Sequence, residues 1–271
     1  MLRKNFLALF VSISLYGNEV HDKIINLIGK DTYELNKQLL ADSFPLDSNT
    51  QTNQKLDYMK ILHTLKKESL LNLTSDDNSD ITILFHISNK NKKGFKIVKD
   101  TVSNIGYSYF NTDFLRQENG NLSWKIRFKS DYILDPYLFL KELNKLSTQI
   151  TDISKISQND WEYTIDSEFG TINTNNELVN NLNFALPMPL EPYILSIKSG
   201  NELSIKSDST NRWIPKISFY DGNINTLEIV EMESIYENLK MKIPKQTIYI
   251  KIEDKYSLKN IKRGLEVQVS N

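Results

Sequence analysis

Histidine is the side chain best suited to acid–base work and metal ligation near neutral pH, and this chain of 271 residues has three: His21, His63 and His86. No His-Glu-x-x-His pair is present, and no two of the three are spaced to share a metal ion. His86, inside the apolar run "LFHIS", is the best placed, yet its surroundings fit a half-buried strand histidine better than a ligand. A second grouping, "DDNSD", sets Asp76, Asn78 and Asp80 at alternate positions, as the first three oxygens of a calcium loop are set. The rest of that loop fails. Ile81 stands where glycine is needed and Ile87 where the bidentate glutamate belongs, so the stretch reads as an acidic turn ahead of a strand.

Glycoside hydrolysis needs two carboxylates facing one sugar ring. Asp160/Glu162, Asp166/Glu168 and Glu228/Glu231/Glu233 supply neighbours, but carboxylates two apart on a strand are also how a solvent face is filled. There is no Gly-x-Ser-x-Gly elbow and no glycine-rich phosphate loop. Zero cysteines remove disulfides, thiolate catalysis, iron–sulfur clusters and Cys-ligated zinc together. Tryptophan on an exposed sheet stacks on sugars, but Trp124, Trp161 and Trp213 each sit in an alternating apolar series, where the ring fills a core. Sequons at Asn72 and Asn121 are incidental to this reading. No catalytic, cofactor-binding or metal residue is assigned from the sequence.

The elements that must position these residues fall into three blocks. Apolar residues at near-helical spacing (Val20, Ile24, Leu27, Ile28, Leu35, Leu39) and a second set (Leu56, Met59, Leu62, Leu65, Leu70) predict helices in a segment spanning 18–78, forming a hairpin or a stalk. From 79 to 168 the pattern changes. "ITILFHIS" predicts a strand and "NKNKKG" a loop, while "FKIVKDTVSNI" predicts a helix that stops at Gly106. "YSYFNTDFL" and "LSWKIRFKS" predict strands joined at "QENGN", and "DPYLFLKELNKLS" a helix capped by Asp135 with Pro136 in its first turn. "TQITDISKIS" and "WEYTIDS" complete a β-α-β-β-α-β order with an additional strand, which is the split βαβ, or ferredoxin-like, arrangement. Residues 169–192 are Asn-rich and proline-punctuated and read as a linker. From 193 to 271, seven short alternating runs predict an immunoglobulin-like β-sandwich. The fold class expected is α+β.

In "MLRKNFLALFVSISLYGNEV", Arg3 and Lys4 precede an apolar run from Phe6 to Tyr16. A membrane helix needs about 20 apolar residues, whereas a secretory signal needs about 7 to 15. Residues 1–17 therefore read as an export leader cleaved after Gly17, and the expected compartment is the periplasm, with secretion or anchoring by an uncleaved leader as the alternatives. No later segment is long and apolar enough to span a bilayer. The formal charge is −1 with both signs interleaved, and no basic stripe of the kind that displaces counterions from nucleic acid is present. The runs Lys90/Lys92/Lys93 and Lys259/Lys262/Arg263 read as solvated loops.

An apolar N-terminal segment, a helical stretch and then a ferredoxin-like order resembles the layout of periplasmic alignment proteins of type IV pili and type II secretion systems. The likeness spans about 150 residues of element order. It implies a role in envelope assembly, although those proteins keep a long membrane helix and lack the C-terminal sandwich. The expected function is thus a non-catalytic exported protein that binds envelope proteins by strand addition or helix docking. A carbohydrate or peptidoglycan binder is the second reading and an enzyme with an unfamiliar site the third.

Overall fold

The computed structural model describes residues 19–45, 56–75 and 79–271. The expected leader, and Asp76 and Asn78 of the acidic turn, lie outside the described residues. The chain is mixed α+β; among the described residues there are several helices and three sheets, and most of the regular structure is strand. It divides into two compact units, one ending at Thr171 and the other running from Ile172 to Asn271.

In the first unit the predicted first helix is three pieces: α1 (19–28), α2 (Lys30–Leu35) and α3 (Lys37–Ser43). The break before α2 falls at Gly29, whose φ of 84° no helix accommodates and which glycine adopts without a Cβ penalty. The second predicted helix is α4 (Tyr58–Lys67); the Asp57 side chain accepts from the Lys60 N–H at 2.9 Å, and Tyr58, Ile61, Leu62 and Leu65 form its buried stripe.

Strand β1 (Asp80–Ser88) leads into α5 (Asn91–Asn104), so the helix starts inside "NKNKKG", which was expected to be a loop. It ends as expected at Gly106 (φ 110°), where the Tyr107 N–H reaches the Val102 carbonyl and the Gly106 N–H that of Ser103, the paired bonds of a Schellman cap. Strands β2 (Asn111–Glu118) and β3 (Asn121–Lys129) turn through Asn119 and Gly120, both at positive φ. Helix α6 (Pro136–Lys145) carries the expected cap, with Asp135 accepting from the Tyr137 and Leu138 N–H groups. Strands β4 (Gln149–Lys155) and β5 (Asp160–Asp166) follow.

The sheet order is β2-β3-β1-β5-β4, with β1 antiparallel to β3 and parallel to β5. The additional strand is therefore inserted beside β1 rather than appended at an edge. Composition explains the choice: Trp161, Tyr163 and Ile165 of β5 are fully buried on one face, whereas the alternation of β4 is broken by a bulge between Ile150 and Asp152. Rings from the helices close over that face, Phe95 of α5 against Trp124 and Phe139 of α6 against Phe85. The opposite face is half-exposed.

The second unit contains the seven predicted runs as β8 (Tyr193–Ile197), β9 (Glu202–Ser207), β10 (Pro215–Tyr220), β11 (Thr226–Glu231), β12 (Asn238–Lys242), β13 (Tyr249–Asp254) and β14 (Leu265–Ser270). The stretch 169–192, read as a linker, differs from expectation: it carries β6 (Asn176–Leu178) and β7 (Asn183–Leu186), which pair with β8 and β14. Leu178 and Leu186 are buried there, and burial of a single leucine per short strand is too sparse a pattern to stand out among asparagines. The two sheets, β11-β10-β13-β8-β6 and β12-β9-β14-β7, contribute to one apolar core that includes Trp213, Phe219, Leu203 and Val267.

Candidate functional site

The three histidines lie on separate elements. His21 on α1 shares a 2.8 Å hydrogen bond between its Nδ1 and the Tyr33 hydroxyl, and His63 on α4 rests against the Tyr137 ring. His86 is on the half-exposed face of the first sheet, in a cross-strand row of Arg116, Ser123, His86, Thr164 and Asp152. Its Nδ1 is 3.4 Å from the Ser123 hydroxyl and its Nε2 3.8 Å from a Glu162 oxygen. A Ser–His–Glu set is thus brought together, but on a flat, solvated sheet and at separations beyond the roughly 2.6–3.2 Å of a working nucleophile–base pair. Among the described residues no group of three or more His, Asp or Glu could hold a metal ion.

The carboxylate pairs are engaged locally. Asp160 accepts from the Ser157 hydroxyl at 2.6 Å, Asp166 accepts from Asn89 at 3.0 Å, and Glu168 is 3.9 Å from Lys90. Glu231 pairs with Lys216 at 2.8 Å and Glu233 with Lys255 at 2.6 Å, while Glu228 stands exposed on β11. Asp80, the described member of the acidic turn, is 3.5 Å from Arg127. All three tryptophans are at most 2 % exposed. Each indole N–H is satisfied, by Thr112, by the Gln158 carbonyl and by the Glu253 carbonyl. Lys93, expected in a solvated loop, is buried on α5, and burial, with the charge of Lys90, holds its ammonium below the usual lysine range.

The two edges of the first sheet are treated differently, and this is where a site can be built. Along β4 the outward carbonyl of Ile153 accepts from the Lys23 ammonium at 3.0 Å. The Lys155 N–H and carbonyl are both taken by the Asn26 side-chain amide, at 2.9 and 3.1 Å. Helix α1 therefore mimics a missing strand. It is fastened by Asp152, which accepts from Lys23 at 2.7 Å, from Tyr58 at 2.5 Å and from Ser154 at 3.0 Å. Burial alone would raise the Asp152 pKa, but those hydrogen bonds and the Lys23 charge hold it below the usual carboxylate range; burial and the same carboxylate push the Tyr58 phenol far up.

Strand β2 has no such cover. Among the described residues no strand pairs with its outer side, so beyond the bulge at Asp113 alternate N–H and C=O groups from Phe114 to Glu118 face outward. Leu115 projects from it at 48 % exposure, and Tyr109, just before it, is 95 % exposed. Near its start a shallow hollow of about 350 Å³ is lined by Tyr109, Phe110, Asn111 and Arg127. The strand is nonetheless tied to β3 by side chains. Thr112 receives the Trp124 indole, Phe110 packs edge-on against the same ring, and Asp113, at a bulge, accepts from Arg127 at 2.9 Å. The Asp113 hydrogen bond keeps the Arg127 guanidinium above its ordinary pKa. The Arg116 guanidinium lies 4.9 Å from the Phe114 ring centre.

In the second unit β11 is also an edge, with Leu227 and Ile229 exposed among Glu228 and Glu231, as Leu115 of β2 is exposed among Asp113, Arg116 and Glu118; the edge β12 carries Lys240 and Lys242. The sequence pattern placed a strand over 107–115 and a turn from Gln117, whereas β2 runs from Asn111 to Glu118, and it gave no sign that this strand would be the one left unpaired among the described residues. Comparison of the chain with protein-family models, with curated proteins and with solved structures finds no match in any of the three, so its function is read from this geometry.

Proposed function

We propose that the protein is an exported, periplasmic, non-catalytic component of a cell-envelope assembly, and that it binds envelope proteins by strand addition at β2. The observation that carries this reading is the edge strand β2, unpaired on its outer side among the described residues and with Leu115 exposed on it, in a sheet whose opposite edge is capped by side chains. An added strand would gain backbone hydrogen bonds from β2 and specificity from alternate side chains meeting Leu115 on one face and Phe114 and Arg116 on the other. The finer architecture proposed is a ferredoxin-like first unit with an inserted strand, followed by an immunoglobulin-like sandwich, and residues 1–17 are proposed as the export leader. The carbohydrate reading is weakened because none of the three tryptophans is free to stack on a sugar. The enzyme reading is weakened by the open, widely spaced setting of His86.

The test is capture from envelope extract by the tagged full chain and by its Leu115→Lys variant. A lysine at this half-exposed position blocks strand addition without emptying the core. The proposal expects envelope proteins held by the unsubstituted chain to be lost from the variant. Identical captures by the two would overturn it.

A further inference from the structure

We infer that the N-terminus of α5, with Lys90 and Lys93, is a binding site for a phosphate group. Strands β1 and β5 are parallel and end side by side at Ser88 and Asp166, so the loops that follow them meet at one end of the sheet. Ligands of parallel strands gather outside such carboxyl ends, where the next helix offers N–H groups and the positive end of its dipole. The two loops are tied together. The Ser167 hydroxyl donates to the Ser88 carbonyl at 3.1 Å and to that of Asn89. A Cβ on Gly94 would lie 2.3 Å from the Ser167 Oγ, so glycine is needed for the first turn of α5 to close on it. The hydrogen-bond ladder of α5 begins with the Gly94 N–H, which reaches the Lys90 carbonyl at 2.9 Å. No side chain caps the helix, and the Asn91 and Lys93 N–H groups have no partner among the described residues.

An open helix end is no site by itself; what marks this one is Lys93. Its side chain is buried, with the residue 8 % exposed, and its ammonium has no hydrogen bond or ion pair among the described residues. Helical side chains tilt back toward the N-terminus, and the charges that Lys93 feels are those of Lys90 and Glu168, both at that end. A cation drawn out of water and left unpaired costs free energy, and a bound anion removes that cost. The charge of the site selects the anion. In the two loops Lys90, Lys92 and Lys93 stand against Asp166 and Glu168, which leaves one positive charge, and the helix end adds roughly half of another. A phosphate monoester carries about −1.5 to −2 near neutral pH and three strong acceptor oxygens, whereas a carboxylate brings a single charge. Asp166 is already engaged, by the Asn89 side chain at 3.0 Å and the Glu168 N–H at 2.9 Å, but Glu168 only approaches Lys90, at 3.9 Å. Glu168 is thus the weakly held group that phosphate displaces from Lys90.

The test titrates inorganic phosphate into the full chain at neutral pH and constant ionic strength, with chloride as the balancing anion, and reads calorimetry and melting temperature. Lys93→Met keeps an apolar stem in the buried position and drops the charge, so without phosphate it is expected to melt no lower than the parent. Phosphate is expected to raise the melting temperature of the parent. Affinity is expected to fall about tenfold or more in Lys93→Met, the loss of one charge-assisted hydrogen bond. Glu168→Gln is expected to bind phosphate more tightly, and Lys216→Met, which removes the same charge from β10 in the second unit, to bind it as the parent does. Vesicles of phosphatidylcholine with and without phosphatidic acid separate the sources of the phosphate group. Co-sedimentation of the parent, but not of Lys93→Met, with phosphatidic acid vesicles would support the site and assign a lipid headgroup; binding of free phosphate alone would support it and assign a soluble phosphate. The site is overturned if the parent binds neither, if Lys93→Met binds free phosphate as tightly as the parent, or if vesicle binding is seen without phosphate binding and Lys93→Met retains it.

Discussion

Tyr163 and Asp152 show how differently one polar atom can stand in this protein. Tyr163 is fully buried between Phe85 and Phe139, and its hydroxyl has no hydrogen-bond partner among the described protein groups. A buried polar atom left unpaired costs about 1–3 kcal/mol. Tyr163→Phe is expected to leave the melting temperature unchanged or raise it, and a loss of several degrees would show that the hydroxyl is stabilising. Asp152, by contrast, gathers Lys23, Tyr58 and Ser154. Its pKa is lower folded than unfolded, so its contribution is present above the unfolded value of about 3.9 and is lost as pH falls through the folded one. Asp152→Asn is expected to cost about 1 kcal/mol at neutral pH, discounted for its partial exposure. The gap in thermal stability between variant and parent should close on acidification; a gap independent of pH would contradict the assignment. The burial of the tryptophans was legible from their alternation with polar neighbours. The Asp152 network was not, because Tyr58 and Lys23 come from 94 and 129 positions away.

Elements were legible where a local device sets them. Helix α6 follows from Asp135 and Pro136, and the end of α5 from Gly106. They were illegible where pairing is decided at long range. Nothing within "NTDFLRQE" distinguishes an edge strand from a central one, and the β6 and β7 strands inside the expected linker exist only because β8 and β14 offer them partners. Glycine marks one such long-range fit, at Gly264, and one purely local requirement, at Gly29. Gly264 has a φ of 75°, and a Cβ there would lie 1.9 Å from the Leu186 carbonyl oxygen on β7, so Gly264→Ala is expected to destabilise the protein by about 3 kcal/mol or more. Gly29, at φ 84° with no atom within 4 Å of an added Cβ, faces only the left-handed backbone penalty, about 1–2 kcal/mol. Urea unfolding of both variants checks the ordering; equal losses would contradict the close approach of β7 to Gly264.

At the scale of the whole molecule, a sheet with one capped and one open edge makes a finite contact, whereas a sheet open on both sides is a template for chains without end. Asn26→Ala removes the groups that occupy the Lys155 N–H and carbonyl on β4. Light scattering of that variant is expected to show species larger than those of the parent; unchanged size would mean that α1 shields β4 by bulk and not through the Asn26 amide. The most direct measurement of the central claim is hydrogen–deuterium exchange of the full chain, dilute and then in its assembled state. Residues 111–118 are expected to gain protection on assembly, with the half-exposed face around His86 and the β11 edge unchanged. Protection gained at those surfaces while 111–118 continue to exchange freely would contradict the assignment of β2 as the docking edge.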